Sequence, residues 1–112
     1  MLKSQKLDYV FSAKQFTTSP ARSLIVGVDG KSEMQYPEFL NTRTQDLPKS
    51  FQDAAMFYLG YRDSWIGKKP VLYGNSKFIQ VGKYETIDVD EPEDWDFLEE
   101  VYAIRLESKA PQ

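Results

Sequence analysis

The stretch Thr86-Ile87-Asp88-Val89-Asp90-Glu91-Pro92-Glu93-Asp94-Trp95 constrains this chain more than any other. It reads as a short buried strand that ends in carboxylates and runs straight into a helix. Ile87 and Val89 alternate with Asp88 and Asp90, so a period of two sends the aspartates to one face and the β-branched pair to the other. Pro92 sits where a first helical residue tolerates proline, and Glu93 and Asp94 put negative charge where the helix dipole favours it. From Trp95 on, Leu98, Val101, Tyr102 and Arg105 recur at helical spacing, flanked by Phe97 and Ile104. A helix is therefore expected from Pro92 to near Glu107, with Lys109 to Gln112 as a frayed tail. A strand tip with two carboxylates just before a helix suits a metal ion or a sugar hydroxyl. The plainer reading is that Asp88 and Asp90 finish a strand and cap a helix.

Composition narrows the chemistry. The chain has 112 residues, enough for a single domain spanning 1–112. Its hydrophobic share of 41% supports only a modest core at this length, so a partner chain is expected to supply part of it. There is no cysteine and no histidine, which removes disulfides, thiolate catalysis, the usual general base and the usual zinc ligand. Fourteen basic against seventeen acidic residues give a net charge of −3, with no basic cluster. That argues against nucleic acid. No apolar run approaches the ~20 residues of a membrane span, and Lys3 and Lys6 precede no signal-peptide core, so a cytoplasmic location is expected. Chemistry here must use carboxylates, Lys, Arg, Tyr, amides or a hard metal ion.

Along the chain, Leu7 to Ala13 is rich in strand formers and follows the polar end of a possible helix. Ser23 to Val28 leads to Asp29-Gly30, a strong hairpin signal, and Lys31 to Tyr36 returns as the second arm. A phosphate-binding glycine loop is the weaker alternative there, because no helix follows the turn. Asn41 to Pro48 is a dense polar loop whose donors Asn41, Arg43 and Gln45 suit a carboxylate or a sugar, though a solvated surface connection is the simpler reading. Phe51 to Leu59 is ambiguous between helix and strand; its apolar run favours a strand over Ala55 to Leu59. Ser64 to Gly67 suits one helical turn. Val71 to Tyr73 and Lys77 to Val81 are short strand candidates separated by Gly74-Asn75.

Taken together, Asn41-Thr42-Arg43-Thr44-Gln45-Asp46-Leu47-Pro48, Asp53-Ala54, Phe57-Tyr58, Ile87-Asp88-Val89-Asp90 and Pro92-Glu93-Asp94-Trp95 resemble the C-terminal half of the acylneuraminate cytidylyltransferases, nearest the pseudaminic acid subgroup. The resemblance spans roughly Asp8 to Leu106. It implies an α/β, partial nucleotidyltransferase-like (Rossmann-like) fold with a projecting β-hairpin arm around Asp29-Gly30, a C-terminal helix and a homodimer. It further implies CMP transfer from CTP to a nonulosonic sugar acid with Mg²⁺. Arg43 and Gln45 would then lie near the sugar acid, Tyr58 would line the site, and Asp88 and Asp90 would hold the metal.

Several positions depart from the family pattern. The family's basic, glycine-bearing CTP loop has no counterpart in these residues, which implies a piece inactive by itself. Gln52 stands where the subgroup tends to have histidine, Ala55 where it has glycine, and Glu91 in place of a capping threonine, so the cap is expected from Asp90 or water. The alternatives are a non-catalytic dimerisation or regulatory module built on the same fold, and a small α+β binding domain with a fortuitous motif.

Overall fold

A computed structural model describes residues 1–109. Tyr9–Gln15 forms β1, the centre of a three-stranded mixed sheet. Three large residues lead into two small ones, and Tyr9, Val10, Phe11, Ser12 and Ala13 are all buried. Both faces of β1 are therefore covered, unlike a surface strand. Two further strands flank it: β4 (Phe51–Gly60) runs antiparallel and β5 (Ser76–Val81) parallel. Between them the five-residue helix α1 (Arg62–Ile66) carries Trp65 onto Tyr9, edge to face with centroids 4.7 Å apart. Gly60 faces Tyr9 across the ladder, and a Cβ there would lie 2.4 Å from the Tyr9 ring, so only glycine permits this approach. On the sheet, Phe78 of β5 meets Phe11 at 5.8 Å and Phe51 at 5.0 Å.

β2 (Leu24–Val26) and β3 (Ser32–Met34) form the expected hairpin, with Leu24 opposite Met34. Its loop is longer than a two-residue turn: Gly27 N–H donates to Lys31 O at 2.8 Å, and Gly30 takes φ +81°. That is the three-residue loop in which a left-handed glycine absorbs the strand twist. The arm stands out from the sheet with Val26 80% exposed. The helix α2 (Pro92–Lys109) likewise covers little, and only Leu98 and Val101 of its apolar stripe are half-buried. These projections raise the radius of gyration to 18.5 Å, against ~13 Å for a compact domain of this length.

Four expectations need correction. Residues 86–90 pair with no strand among the described residues: β4 and β5 flank β1, and the segment joins neither of their outer edges. Val71 to Tyr73 form bends, constrained by Pro70 before them and Gly74 after. Residues 1–6 make turns, with Lys6 at φ +54°, rather than a helix end. β4 begins at Phe51, four residues before the expected Ala55, because β1 continues to Gln15 and offers Ala13, Lys14 and Gln15 as partners for Asp53, Gln52 and Phe51. The mixed α/β class, the hairpin and the C-terminal helix stand. The tail beyond Lys109 lies outside the described residues.

Candidate functional site

The site begins at the end of β1. Here an apolar strand breaks into Lys14 and Gln15, and β4 presents Gln52 directly opposite Lys14. Lys14 reaches across 72 residues of sequence to donate from Nζ to the carbonyl of Thr86 at 3.0 Å. That bond fastens the 86–90 segment over the sheet end. A cavity of about 410 Å³ opens between the two, lined by Lys14, Gln52, Lys83, Thr86, Asp88 and Asp94 among others. Its lining is of mixed charge and polarity: two ammonium groups, two carboxylates, two amides (Gln15 and Gln52) and the hydroxyls of Thr17, Tyr84 and Thr86, beside apolar Ile87 and Phe97. Such a set suits a ligand with both an acid group and hydroxyls.

Asp94 also starts α2. Its carboxylate accepts the N–H groups of Glu91 at 2.9 Å and Asp90 at 3.0 Å, ahead of the helix. It thus makes the backward half of a capping box from the third helical position. The bonds from Glu91 and Asp90 hold the Asp94 carboxyl below the usual carboxylate range. The expectation that Asp90 supplies the cap is therefore corrected: Asp90 donates its backbone, and Asp94 accepts.

Tyr58 belongs to a different local device. One residue of β1, Ser12, spans the same length as residues 54–57 of β4, because the register jumps from Phe11–Tyr58 to Ala13–Asp53. The loop so formed turns on Ala55, whose φ of +56° is left-handed. Asp53 closes it by accepting Ala55 N–H at 2.9 Å, and its other oxygen accepts the Tyr58 hydroxyl. That hydrogen bond, then burial and the negative charges of Asp53 and Asp88, push the Tyr58 phenol above its usual value. Tyr58 and Asp88 therefore share an electrostatic neighbourhood. Ala55 thus sits in the left-handed region, a conformation that glycine adopts at less cost.

The expected site residues are gathered only in part. Asp88 lines the main cavity, whereas Asp90 is not on its wall. Gln45 lines a second cavity of about 190 Å³, which adjoins the first through Gln15 and Thr17. Arg43 lines neither: its Nε is 2.8 Å from Asp46 Oδ2, an exposed ion pair within its own loop. Among the described residues no three acidic side chains converge on one point. Mg²⁺ nevertheless needs only one or two protein carboxylates besides waters and phosphates, and Asp88 is a hard oxygen donor of that kind. Lys14 was missed by sequence reading; a charged residue ending the apolar run from Tyr9 to Ala13 was its one visible signal.

Comparison with known proteins gives a consistent family. No protein-family profile matches the chain. A Helicobacter pylori protein named pseudaminic acid cytidylyltransferase and UDP-2,4-diacetamido-2,4,6-trideoxy-beta-L-altropyranose hydrolase is 33% identical over 87 residues, which are 78% of this chain and 16% of that protein. Pseudaminic acid cytidylyltransferases from two Campylobacter jejuni strains are each 24% identical over 100 residues, 89% of this chain and 43% of theirs. The chain thus spans less than half the length of these curated relatives.

Proposed function

We propose that this chain, whose curated homologues are pseudaminic acid cytidylyltransferases matching 78–89% of its length, is the C-terminal, sugar-acid-binding half of such an enzyme. The observation that carries the reading is the cavity that brings Lys14, Gln52, Thr86 and Asp88 together at the end of the sheet. An acid group finds ammonium and hydroxyl donors there, and sugar hydroxyls find the Gln52 amide and the Asp88 carboxylate. In the complete nucleotidyltransferase-like domain the sugar's anomeric hydroxyl would attack the α-phosphate of CTP and release pyrophosphate. Asp88, with Asp90 beside it, would hold Mg²⁺, which when bound neutralises phosphate charge. The chain's own residues position the sugar, and water is displaced as the cavity fills.

The sequence carries no glycine-rich phosphate loop leading into a helix, so turnover by this chain alone is not expected. The exposed arm, with Leu24 at 67% and Val26 at 80%, fits a homodimer contact of a cytoplasmic enzyme. The same arm also favours a second reading, a non-catalytic dimerisation module. No helix among the described residues is long and apolar enough to cross a membrane.

Pyrophosphate release from CTP, pseudaminic acid and Mg²⁺ separates the two readings. The chain alone should stay at background, and adding the unmatched N-terminal portion of a Campylobacter jejuni relative should give turnover. Background rates for a complex shown to assemble would favour the association module instead.

A further inference from the structure

Residues 83–109 leave the sheet and are tied back to it at a single point. Val81, the last residue of β5, pairs with Lys14 in the parallel ladder. Gly82 then starts a turn that Glu85 N–H closes onto the Gly82 carbonyl at 3.2 Å. Among the described residues, the one hydrogen bond or ion pair joining 83–109 to the rest of the chain runs from Lys14 Nζ to Thr86 O, at 3.0 Å. No residue from 83 to 108 is buried, and Thr86, Ile87, Asp94, Leu98 and Val101 reach only half-burial. A part with so few buried apolar contacts opens at low cost. Within itself the segment is better held. Asp94 accepts the N–H groups of Asp90 and Glu91, Tyr84 meets Phe97 edge to face at 6.3 Å, and α2 carries its own backbone bonds. This unit supplies one side of the main cavity through Thr86, Asp88 and Phe97, and the sheet end supplies the other through Lys14, Gln15 and Gln52.

We propose that residues 83–109 are a hinged flap over the cavity, pivoting at Gly82 and latched by the Lys14 ammonium on the Thr86 carbonyl. The latch springs from the residue beside the pivot, since Lys14 is the ladder partner of Val81, and it grips the flap beyond the turn. Release widens the cavity on one side, and closure returns Thr86 and Asp88 to its wall. The sheet keeps its own buried residues, Tyr9 to Ala13, in both positions. The movement belongs to the chain itself and holds whichever ligand fills the cavity.

The chain has no cysteine, so Gln80→Cys on β5 and Glu100→Cys on α2, both at exposed positions, place a pair of spin labels at chosen points. Pulsed electron resonance then reads the distance between sheet and flap. The labelled chain should show one main distance. Adding Lys14→Met should raise the share of longer distances about tenfold relative to the latched one, the factor that one hydrogen bond to a charged group supplies. Lys14→Arg, which keeps a charged donor, should stay near the parent, as should Lys83→Met, which removes the cavity's other ammonium. Amide shifts of Tyr9 to Ala13 check that the sheet survives. If Lys14→Met loses it, Lys14→Gln takes its place, uncharged and with its donor one bond nearer the backbone. An unchanged distance distribution on loss of the Lys14 ammonium overturns the proposal, as does a parent distribution already broad and indifferent to that loss. Equal opening in Lys83→Met also overturns it, since the general charge of the cavity, and not the latch, would then hold the flap.

Discussion

The Ser12 hydroxyl accepts the backbone N–H groups of Met56 and Phe57, at 3.0 and 3.4 Å, where the β1–β4 ladder skips. Ser12 is fully buried, so a serine in the middle of the core stands in for a carbonyl that the irregular strand cannot find. Ser12→Ala would leave these N–H groups without their acceptor, and a loss of about 1–3 kcal/mol in urea unfolding is expected. Ala55→Gly should act in the opposite direction. It relieves the left-handed φ of +56°, with a gain of up to about 1 kcal/mol after the added chain entropy is subtracted. Unchanged unfolding midpoints in both variants would mean the loop is not held in this form.

Tyr58 tests the same loop from its other end. Its hydroxyl donates to Asp53, and its folded pKa is raised. A raised folded value means that this contribution to stability is fully present below the unfolded tyrosine value near 10. It is lost as the pH rises through the higher folded value. In spectra of a sample with labelled tyrosine rings, Tyr58 should titrate late, and Asp53→Asn should move it back toward ordinary tyrosine behaviour. Identical Tyr58 titration in wild type and variant would dissolve the pairing.

Asp94 gives the acid-side counterpart. Its pKa is lowered by the Glu91 and Asp90 N–H groups, so its contribution is complete above the unfolded aspartate value of about 3.9. That contribution fades as the pH falls through the lower folded value. Asp94→Ala should therefore reduce helix content and melting temperature at pH 7. The gap between wild type and variant should close once both are in strong acid. A gap that stays constant down to pH 2 would show that the charge on Asp94 does not matter to the start of α2.

The sequence made legible whatever depended on local chemistry. Pro92 with its acidic neighbours marked where α2 begins, and Asp29-Gly30 marked the hairpin, because capping and turn preferences act within a few residues. What depended on partners far along the chain was less visible. Ile87 to Asp90 alternates like a strand, but alternation alone does not decide pairing, which depends on what the rest of the fold brings alongside. Val71 to Tyr73 has strand composition and no pairing for the same reason. For the candidate site, the motif singled out Asp88, which lines the cavity, whereas Lys14 is placed there by a contact with Thr86 at a separation of 72 residues. Arg43 was expected near the sugar acid from the resemblance, and a neighbour three residues away, Asp46, engages it instead.

The two aspartates of the 88–90 segment should no longer behave as equals. On a strand both would face one cation with similar weight; in the structure Asp88 lines the cavity and Asp90 does not. Asp90 instead gives its N–H to the Asp94 carboxylate at 3.0 Å, which fixes its backbone beside the start of α2. In a complete, active relative, replacing the residue equivalent to Asp88 by Asn should lower turnover at limiting Mg²⁺ by at least about a hundredfold. That follows if one of the ion's one or two protein carboxylates is removed. The Asp90→Asn equivalent should cost less, since its carboxylate enters only if the bound ion draws it in. Glu93→Gln, in the first turn of α2 and away from the cavity, is the control, with a change of a few tenths of a kcal/mol, roughly, in stability and none in rate. Turnover measured against Mg²⁺ concentration distinguishes the outcomes. Near-normal rates for the Asp88 variant would make the residue part of the connection into α2 and not of a metal site, and equal losses for both variants would restore the symmetric pair.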